Sequence, residues 1–342
     1  MSVLNGRAYL EQALDCILGQ TFADLEFIVV DDGSTDDTWE RLSARAERDR
    51  RLRLIRNPAN LGLTRSLNLG LAQAQGELIA RQDVDDLSLP ERLASQVAFL
   101  KTRPEVALLG TAAHRIDREG RALPGVGRHP CGDRAIRLKM LMQNAFFHAS
   151  AMARRAILRE HGLAYDPAMT YAQDYDLWSR VMEHGLAANL YEPLIKFRVH
   201  GGQLSTTAGE AQQECGDRVA FDNFRRAGLD GQFSAEEIRL LRRTGLPPEA
   251  LPPAERLTQF RALRRLFSLL DRRLAGHDPE WERVKREFTL QVRKYLVQTP
   301  PGPEASRVRW VMINEDRLGA ARDILIWLGR GVVNRLPGRP AA

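Results

Sequence analysis

LEFIVVDDGSTDD, residues 25–37, is an apolar run that stops on two carboxylates. The run is short and rich in β-branched residues, so 25–30 reads as a buried strand. DDGSTDD then reads as a turn, with Ser34 or Asp36 placed to start a helix that turns Trp39 and Leu42 inward. A buried strand that ends in acid and passes through a turn into a helix is the first part of a βαβ unit.

The flanking segments extend the pattern. Upstream, residues 5–19 read as a helix N-capped by Asn5, with Leu10, Ala13, Leu14, Ile17 and Leu18 on one face. Downstream, RLRLI (51–55) reads as a strand, NPANLG as a turn and LTRSLNLGLAQA (63–74) as a helix ended by Gly76. ELIARQD (77–83) reads as a strand, SLPERLASQVAFL (88–100) as a helix stopped before Pro104, and EVALLG (105–110) as another strand. This alternation predicts an α/β fold, a mostly parallel, Rossmann-like sheet flanked by helices. Ligands of such sheets sit beyond the carboxyl ends of the strands. Asp31 and Asp32 fall at one such end and Asp83, Asp85 and Asp86 at another, which predicts one acidic crevice.

The totals bound the class. The 342 residues suffice for a large core domain with an appendage, and 44% apolar with 27% charged residues exclude a disordered chain. Cys16, Cys131 and Cys215 are odd in number and far apart, so neither a disulfide framework nor a zinc spacing follows, which points to a reducing, cytoplasmic setting. No apolar run approaches the ~20 residues of a bilayer-spanning helix, and no signal-peptide pattern follows Met1. Residues 1–207 hold 26 basic and 26 acidic side chains, whereas 208–342 hold 24 and 18, so the net charge of +6 lies in the C-terminal part. LPPEALPP (246–253) and TPPGP (299–303) read as linkers between Arg-rich helices there, and a domain boundary is expected near residue 207.

ARQDVDDLSLPERL (80–93) packs three carboxylates into four positions. Carboxylates are ordinary at a helix start, but Ser88 and Glu91 have the S-x-x-E spacing of a capping box, with Pro90 in the first turn. That leaves Asp83, Asp85 and Asp86 repelling one another unless donors or a cation offset them. A hard divalent ion, Mg²⁺ or Mn²⁺, takes one or two such carboxylates together with water and substrate phosphates. Spacing alone leaves the cation site and the acidic turn both standing.

Jointly, VVDDGSTDDT, NLGLTRSLNLGLAQAQGELIARQDVDDLSLPERLASQ and AQDYDLWSRV resemble the family-2 inverting glycosyltransferases, over residues 1 to about 207. The resemblance implies a GT-A-type nucleotide-sugar-binding fold with a nucleotide-diphosphate sugar as donor. It implies that Asp32 accepts a hydrogen bond from the nucleobase with Asp31 beside it. Asp83 then lies near the ribose and diphosphate, Asp85 ligates the divalent cation, and Asp86 supports it. Arg65 is either a diphosphate contact or a surface helix charge. Asp174, in QDYDLW, matches the general base. Trp178 and Leu177 read as core, and Asp176 as a helix N-terminal charge. NAFFHASAMARR (144–155) resembles the acceptor-side segment, where His148 is either a contact or a buried structural histidine. FRVHGGQLS (197–205) resembles the closing loop, where His200 stands near the diphosphate or metal or merely on the surface.

Three departures from the family pattern stand out. Gln173 replaces the usual Glu before the base, and Leu4 replaces an aromatic residue near the nucleobase. The family's first strand lies just before SVLNG, so the chain is expected to lack most of an interior strand, and its natural product to begin upstream of Met1.

RDILIWLGRGVVNRL (322–336) mixes apolar and Arg residues, as a helix at a membrane interface or one docked on protein does. The acceptor is expected to be a saccharide or a lipid-linked one, with peripheral contact at the inner membrane face. Nucleic acid is not an expected partner, because the arginines lack an interleaved aromatic stacking surface. The function implied is sugar transfer to an acceptor hydroxyl in cell-surface polysaccharide or glycolipid synthesis. The alternatives are a nucleotidyltransferase, which would want a Gly-rich, Lys-bearing phosphate loop, and a catalytically silent nucleotide-binding scaffold on the same fold.

Overall fold

A computed structural model describes residues 1–201, 209–243 and 251–273. The chain divides into two compact units, Met1–Arg226 and Ala227–Ala342.

In the first unit, Phe27, Val29 and Val30 are buried, and the segment forms β2 (Phe27–Asp31) between two parallel neighbours. These are β1 (Ser2–Val3), with Val3 opposite Asp31, and β3 (Leu52–Arg56), with Phe27 opposite Leu52. Helices α1 (Leu10–Leu18), α2 (Thr38–Ala46) and α3 (Leu63–Gln73) follow these strands in turn. The apolar face expected of α1 is the buried one: Leu10, Leu14 and Ile17 pack with Phe27, Val29, Leu42 and Leu52. Each such burial contributes about 1.5–3 kcal/mol.

A second sheet has the order β4 (Leu78–Ala80), β8 (Met152–Arg154), β6 (Val106–Ile116), β9 (Leu186–Arg198), β5 (Leu87–Ser88), with β7 (Ala122–Gly127) on β6. The α/β class holds. Parallel pairing, however, is confined to β1–β2–β3 and to β6–β9, while β4–β8, β6–β8, β5–β9 and β6–β7 are antiparallel. Helices α4 (Arg92–Thr102), α5 (Asp133–Met142), α6 (Arg155–Glu160) and α7 (Gln173–Val181) complete the unit with α8 (Gly209–Arg226). Trp178 and Leu177 are core residues, packed with Ile136, Met140 and Phe146. Because α8 belongs to this unit, its compact part runs to Arg226, past residue 207.

Two helix starts differ from expectation. Asn5 does not cap α1. It adopts φ +50°, and its Oδ1 accepts the Thr35 N–H at 2.9 Å, tying the β1–α1 turn to the β2–α2 turn. The Ser88–Glu91 capping box does not form either, because Ser88 is in β5. Its hydroxyl donates to Gln82 Oε1 and accepts from Arg92 Nη1, both at 2.8 Å. A buried polar cluster takes the Ser88 hydroxyl away from the helix end.

β1 is two residues long. The Met1 amine donates to Ile28 O at 2.9 Å, and burial, with Arg81 nearby, pushes that amine down to about 4. Beside it, Phe27 and Ile28 of β2 and Leu78, Ile79 and Ala80 of β4 line a cavity of about 630 Å³.

In the second unit, α9 (Ala235–Arg242) starts with a capping box between Ser234 and Glu237, and Ile238, Leu240 and Leu241 are buried on it. Phe260, Leu263, Leu266 and Phe267 are buried on α10 (Pro253–Arg273). Among the described residues, no helix is long and apolar enough to cross a membrane. The linker TPPGP, the amphipathic stretch 322–336 and most of LPPEALPP lie outside the described residues.

Candidate active site

β2 delivers Asp31 and Asp32 to its carboxyl end, both buried. Asp32 organises the loop that leads into α3. Its Oδ1 accepts Asn57 Nδ2 and the Leu61 N–H, each at 2.8 Å, and its Oδ2 accepts the Gly62 N–H at 3.0 Å. Gly62 has φ +92°, a conformation that favours glycine, and this brings its N–H onto the carboxylate. A carboxylate has about four acceptor positions; the three bonds leave one, on Oδ2. Asp31 accepts the Ser34 N–H at 3.2 Å through Oδ1, and its Oδ2 lies 3.5 Å from Arg56 Nε. Arg65 stands exposed in the first turn of α3.

β4 delivers the second acidic group. The two groups meet at the β1–α1 turn: Asp32 N–H donates to Val3 O at 2.8 Å, the Asn5 N–H donates to Ser34 Oγ at 2.9 Å, and Val84 lies against Gly6. Asp83 pairs with Arg81 and lies 3.5 Å from His148 Nδ1. Burial alone raises the Asp83 carboxyl, but Arg81 and then His148 outweigh it and hold the group below its ordinary range. Asp85 and Asp86 lack such a balance. Burial, then the neighbouring carboxylates, push both up, Asp86 well up. Asp85 Oδ2 lies 3.1 Å from His200 Nε2. Asp86 is 2% exposed and turns toward β9, where its Oδ1 accepts the Arg198 N–H at 2.8 Å.

Arg198 clamps this loop. Its Nε donates to Asp85 O at 2.7 Å, its Nη1 to the Asp117 and Arg118 carbonyls, its Nη2 to Gln12 Oε1, and its guanidinium lies 4.5 Å from the Tyr9 ring centroid. The acidic loop is thereby held to β9, to the β6–β7 turn and to α1 at once.

On the other side, α7 presents Asp174. Its Oδ1 accepts the Tyr175 N–H at 2.8 Å and its Oδ2 accepts Asn144 Nδ2 at 2.7 Å. Ala172, before the helix, has φ +55°. Gln173 is buried, where a carboxylate would require a partner, so the neutral residue suits its surroundings. Asp176 pairs with Arg180 at 2.6 Å within the helix.

Segment 144–148 joins the two sides. Asn144 holds Asp174, and four residues on, His148 lies against Asp83. Arg81 Nε donates to His148 Nε2 at 3.0 Å and Tyr165 OH lies 3.1 Å from the same nitrogen, so the ring proton sits on Nδ1, facing Asp83. His148 is thus held in a buried network rather than exposed to an acceptor. Leu4, where an aromatic residue was expected, is 43% exposed.

Arg81, Asn144, Tyr165 and Arg198 were missed in the sequence. Arg81, Asn144 and Arg198 lie inside the quoted motifs, but the partners that place them in the site, His148, Asp174 and Gln12 among them, are 67, 30 and 186 residues away, so no local spacing marks them.

Among the described residues, no three His, Cys, Asp or Glu side chains converge as an ion-binding set. Asp85 and His200 form a two-donor edge. This fits a hard ion whose remaining ligands are water and phosphate oxygens.

The acidic groups that follow β2 and β4, tied together at the β1–α1 turn, and the α7 carboxylate, tied to the second of them through segment 144–148, make up the candidate site. Residues 1–162 match Glycosyl transferase family 2, and Asp174 and His200 lie beyond the matched stretch. An uncharacterized glycosyltransferase of Haemophilus influenzae is 31% identical over 226 residues, 64% of this chain and 70% of that protein. The amylovoran biosynthesis glycosyltransferase AmsE of Erwinia amylovora is 31% identical over 201 residues, 58% of this chain and 74% of its own length. Among solved structures, S. aureus TarS 1-349 in complex with UDP-GlcNAc superimposes with a TM-score of 0.56 at 18% identity, covering 78% of this chain and 79% of that one. The chain belongs to glycosyl transferase family 2 and is a glycosyltransferase with a GT-A-type fold.

Proposed function

We propose that this chain transfers a sugar, with inversion, from a nucleotide-diphosphate sugar to an acceptor hydroxyl in the synthesis of a cell-surface polysaccharide or glycolipid. The observation that carries the reading is segment 144–148, which ties the acidic loop on one side to the Asp174 carboxylate on the other through His148 and Asn144. The named product of the Erwinia relative and the sugar nucleotide in the S. aureus structure support the polymer and the donor class.

In this reading the acceptor position left on Asp32 Oδ2 faces the nucleobase, with Asp31 beside it. Arg65 and Asp83 flank the diphosphate and ribose. Asp85 holds a divalent cation, Mg²⁺ or Mn²⁺, with His200 at its side and Asp86 bracing the loop. When bound, that ion neutralises the charge of the departing diphosphate. Asp174 takes the proton of the acceptor hydroxyl as the oxygen attacks the anomeric carbon. The new C–O bond forms on the face opposite the nucleotide, the old anomeric C–O bond breaks, and its electron pair leaves with the diphosphate. One displacement inverts the configuration with one carboxylate as base.

The test is release of free nucleotide from UDP-, GDP- and dTDP-sugars with Mn²⁺, followed by NMR of the anomeric product. Transfer with inversion, lowered about 10²–10⁴-fold in Asp174→Asn, is expected. Retention of configuration, or metal-dependent nucleotide binding without turnover of any donor, contradicts the proposal; the latter result is that of a silent nucleotide-binding protein.

A further inference from the structure

We infer that Asn144 is the positioning residue of the Asp174 carboxylate, an inference that rests on Asp174 acting as the base. The Asn144 side chain has a fixed sense: its Oδ1 accepts the Phe146 N–H at 3.1 Å, so the amide NH₂ points the other way, onto Asp174 Oδ2 at 2.7 Å. The turn that carries it is pinned on its far side. Asn189 Nδ2 donates to Ala145 O at 3.0 Å and to Pro130 O at 2.8 Å, and the Ala145 N–H meets Met140 Sδ at 3.3 Å. Ala145 and Phe146 are buried, and Gly110 leaves room for both Asn189 and Phe146; a Cβ there would lie 2.1 Å from Asn189 Oδ1 and 2.8 Å from the Phe146 ring.

The consequence for Asp174 is geometric. With Tyr175 N–H on Oδ1 and Asn144 on Oδ2, each oxygen has one fixed donor, so the carboxylate cannot swing about its Cβ–Cγ bond without losing both. Lone pairs on both oxygens remain for the incoming hydroxyl. An amide, unlike a second acid or a histidine, cannot compete for the proton that the base must take. A residue that only filled space here would need neither the donor nor its orientation.

The substitution Asn144→Asp preserves shape and the acceptor for Phe146 N–H but replaces the donor to Asp174 with a second carboxylate, whereas Asn144→Ala removes the donor without adding charge. The readout is kcat and KM with the sugar nucleotide that turns over in the UDP-, GDP- and dTDP-sugar panel, beside UDP binding in Mn²⁺. Both variants are expected to lower kcat, N144D by about 10-fold or more and N144A by less, because the base loses its fixed orientation. KM and UDP binding are expected to stay within about 2-fold of wild type, since neither side chain touches the acidic loop. A wild-type kcat in both N144A and N144D overturns the inference. The separate result that Asp174→Asn transfers sugar at the wild-type rate overturns the base reading, and the two sets of variants keep the failures apart.

Discussion

His200 Nε2 and Asp85 Oδ2 lie 3.1 Å apart although 115 residues separate them in the chain. A histidine that docks on a carboxylate made basic by burial and by its neighbours either donates to it or shares a cation with it. In the second role His200→Ala weakens Mn²⁺ affinity about 10–100-fold in the presence of UDP, the range for a residue that orients or completes a metal site. In the first role alone the Mn²⁺ dependence of UDP binding is unchanged. Titration of UDP at varied Mn²⁺ separates the two.

Arg198→Ala is expected to destabilise the protein by about 3 kcal/mol or more. The buried guanidinium donates to Asp85, Asp117 and Arg118 carbonyls and to Gln12, and its loss leaves acceptors without donors, each costing about 1–3 kcal/mol. Urea denaturation measures the loss. A midpoint equal to wild type contradicts the clamp.

Gly110→Ala tests the support of segment 144–148 from its far side. The added Cβ meets Asn189 Oδ1 at 2.1 Å. Asn189 is 5% exposed and bonded to two carbonyls, so it has little room to yield. A stability loss of about 1–3 kcal/mol is expected, the range for overpacking, together with slower transfer. Wild-type stability and rate in Gly110→Ala contradict this packing.

His129 supplies a pH dependence of fold stability. Burial, and then Lys139, whose Nζ lies 2.8 Å from the ring Nδ1, push the imidazole down to about 3. The unfolded chain, with an ordinary imidazole near 6.5, therefore binds the proton first. Stability from the neutral ring is whole above pH 6.5 and drains away as pH falls toward 3. Carboxylates titrate in part of the same window, so the informative quantity is the difference between variants. His129→Gln is expected to show a shallower fall of Tm between those pH values than wild type, and an equal slope contradicts it.

The legible parts of this chain were the local ones. The strand ending at Asp31, the buried face of α1, and the order of strands and helices to residue 110 apart from the two-residue β1 and β5 follow from periodicity, because the residues that decide them are adjacent or one helical turn apart. Both acidic groups were visible for the same reason. Asn5 and Ser88 misled because their side chains have better partners in the folded state, Thr35 in one case and Gln82 with Arg92 in the other. Propensity for a cap cannot anticipate a competitor brought in by tertiary structure. The antiparallel strands were missed because β5, β7 and β8 are short or exposed and show no alternation strong enough to mark them. Asn144 and Arg198 look like ordinary loop and strand residues until the fold sets them on Asp174 and the acidic loop.

The most direct test is calorimetric titration of UDP and GDP into the 342-residue chain with and without Mn²⁺, alongside Asp85→Asn. One nucleoside diphosphate is expected to bind only with the metal, and Asp85→Asn to abolish this binding while leaving the thermal transition in place. Nucleotide binding that is equally tight without metal, or unchanged in Asp85→Asn, contradicts the proposed function.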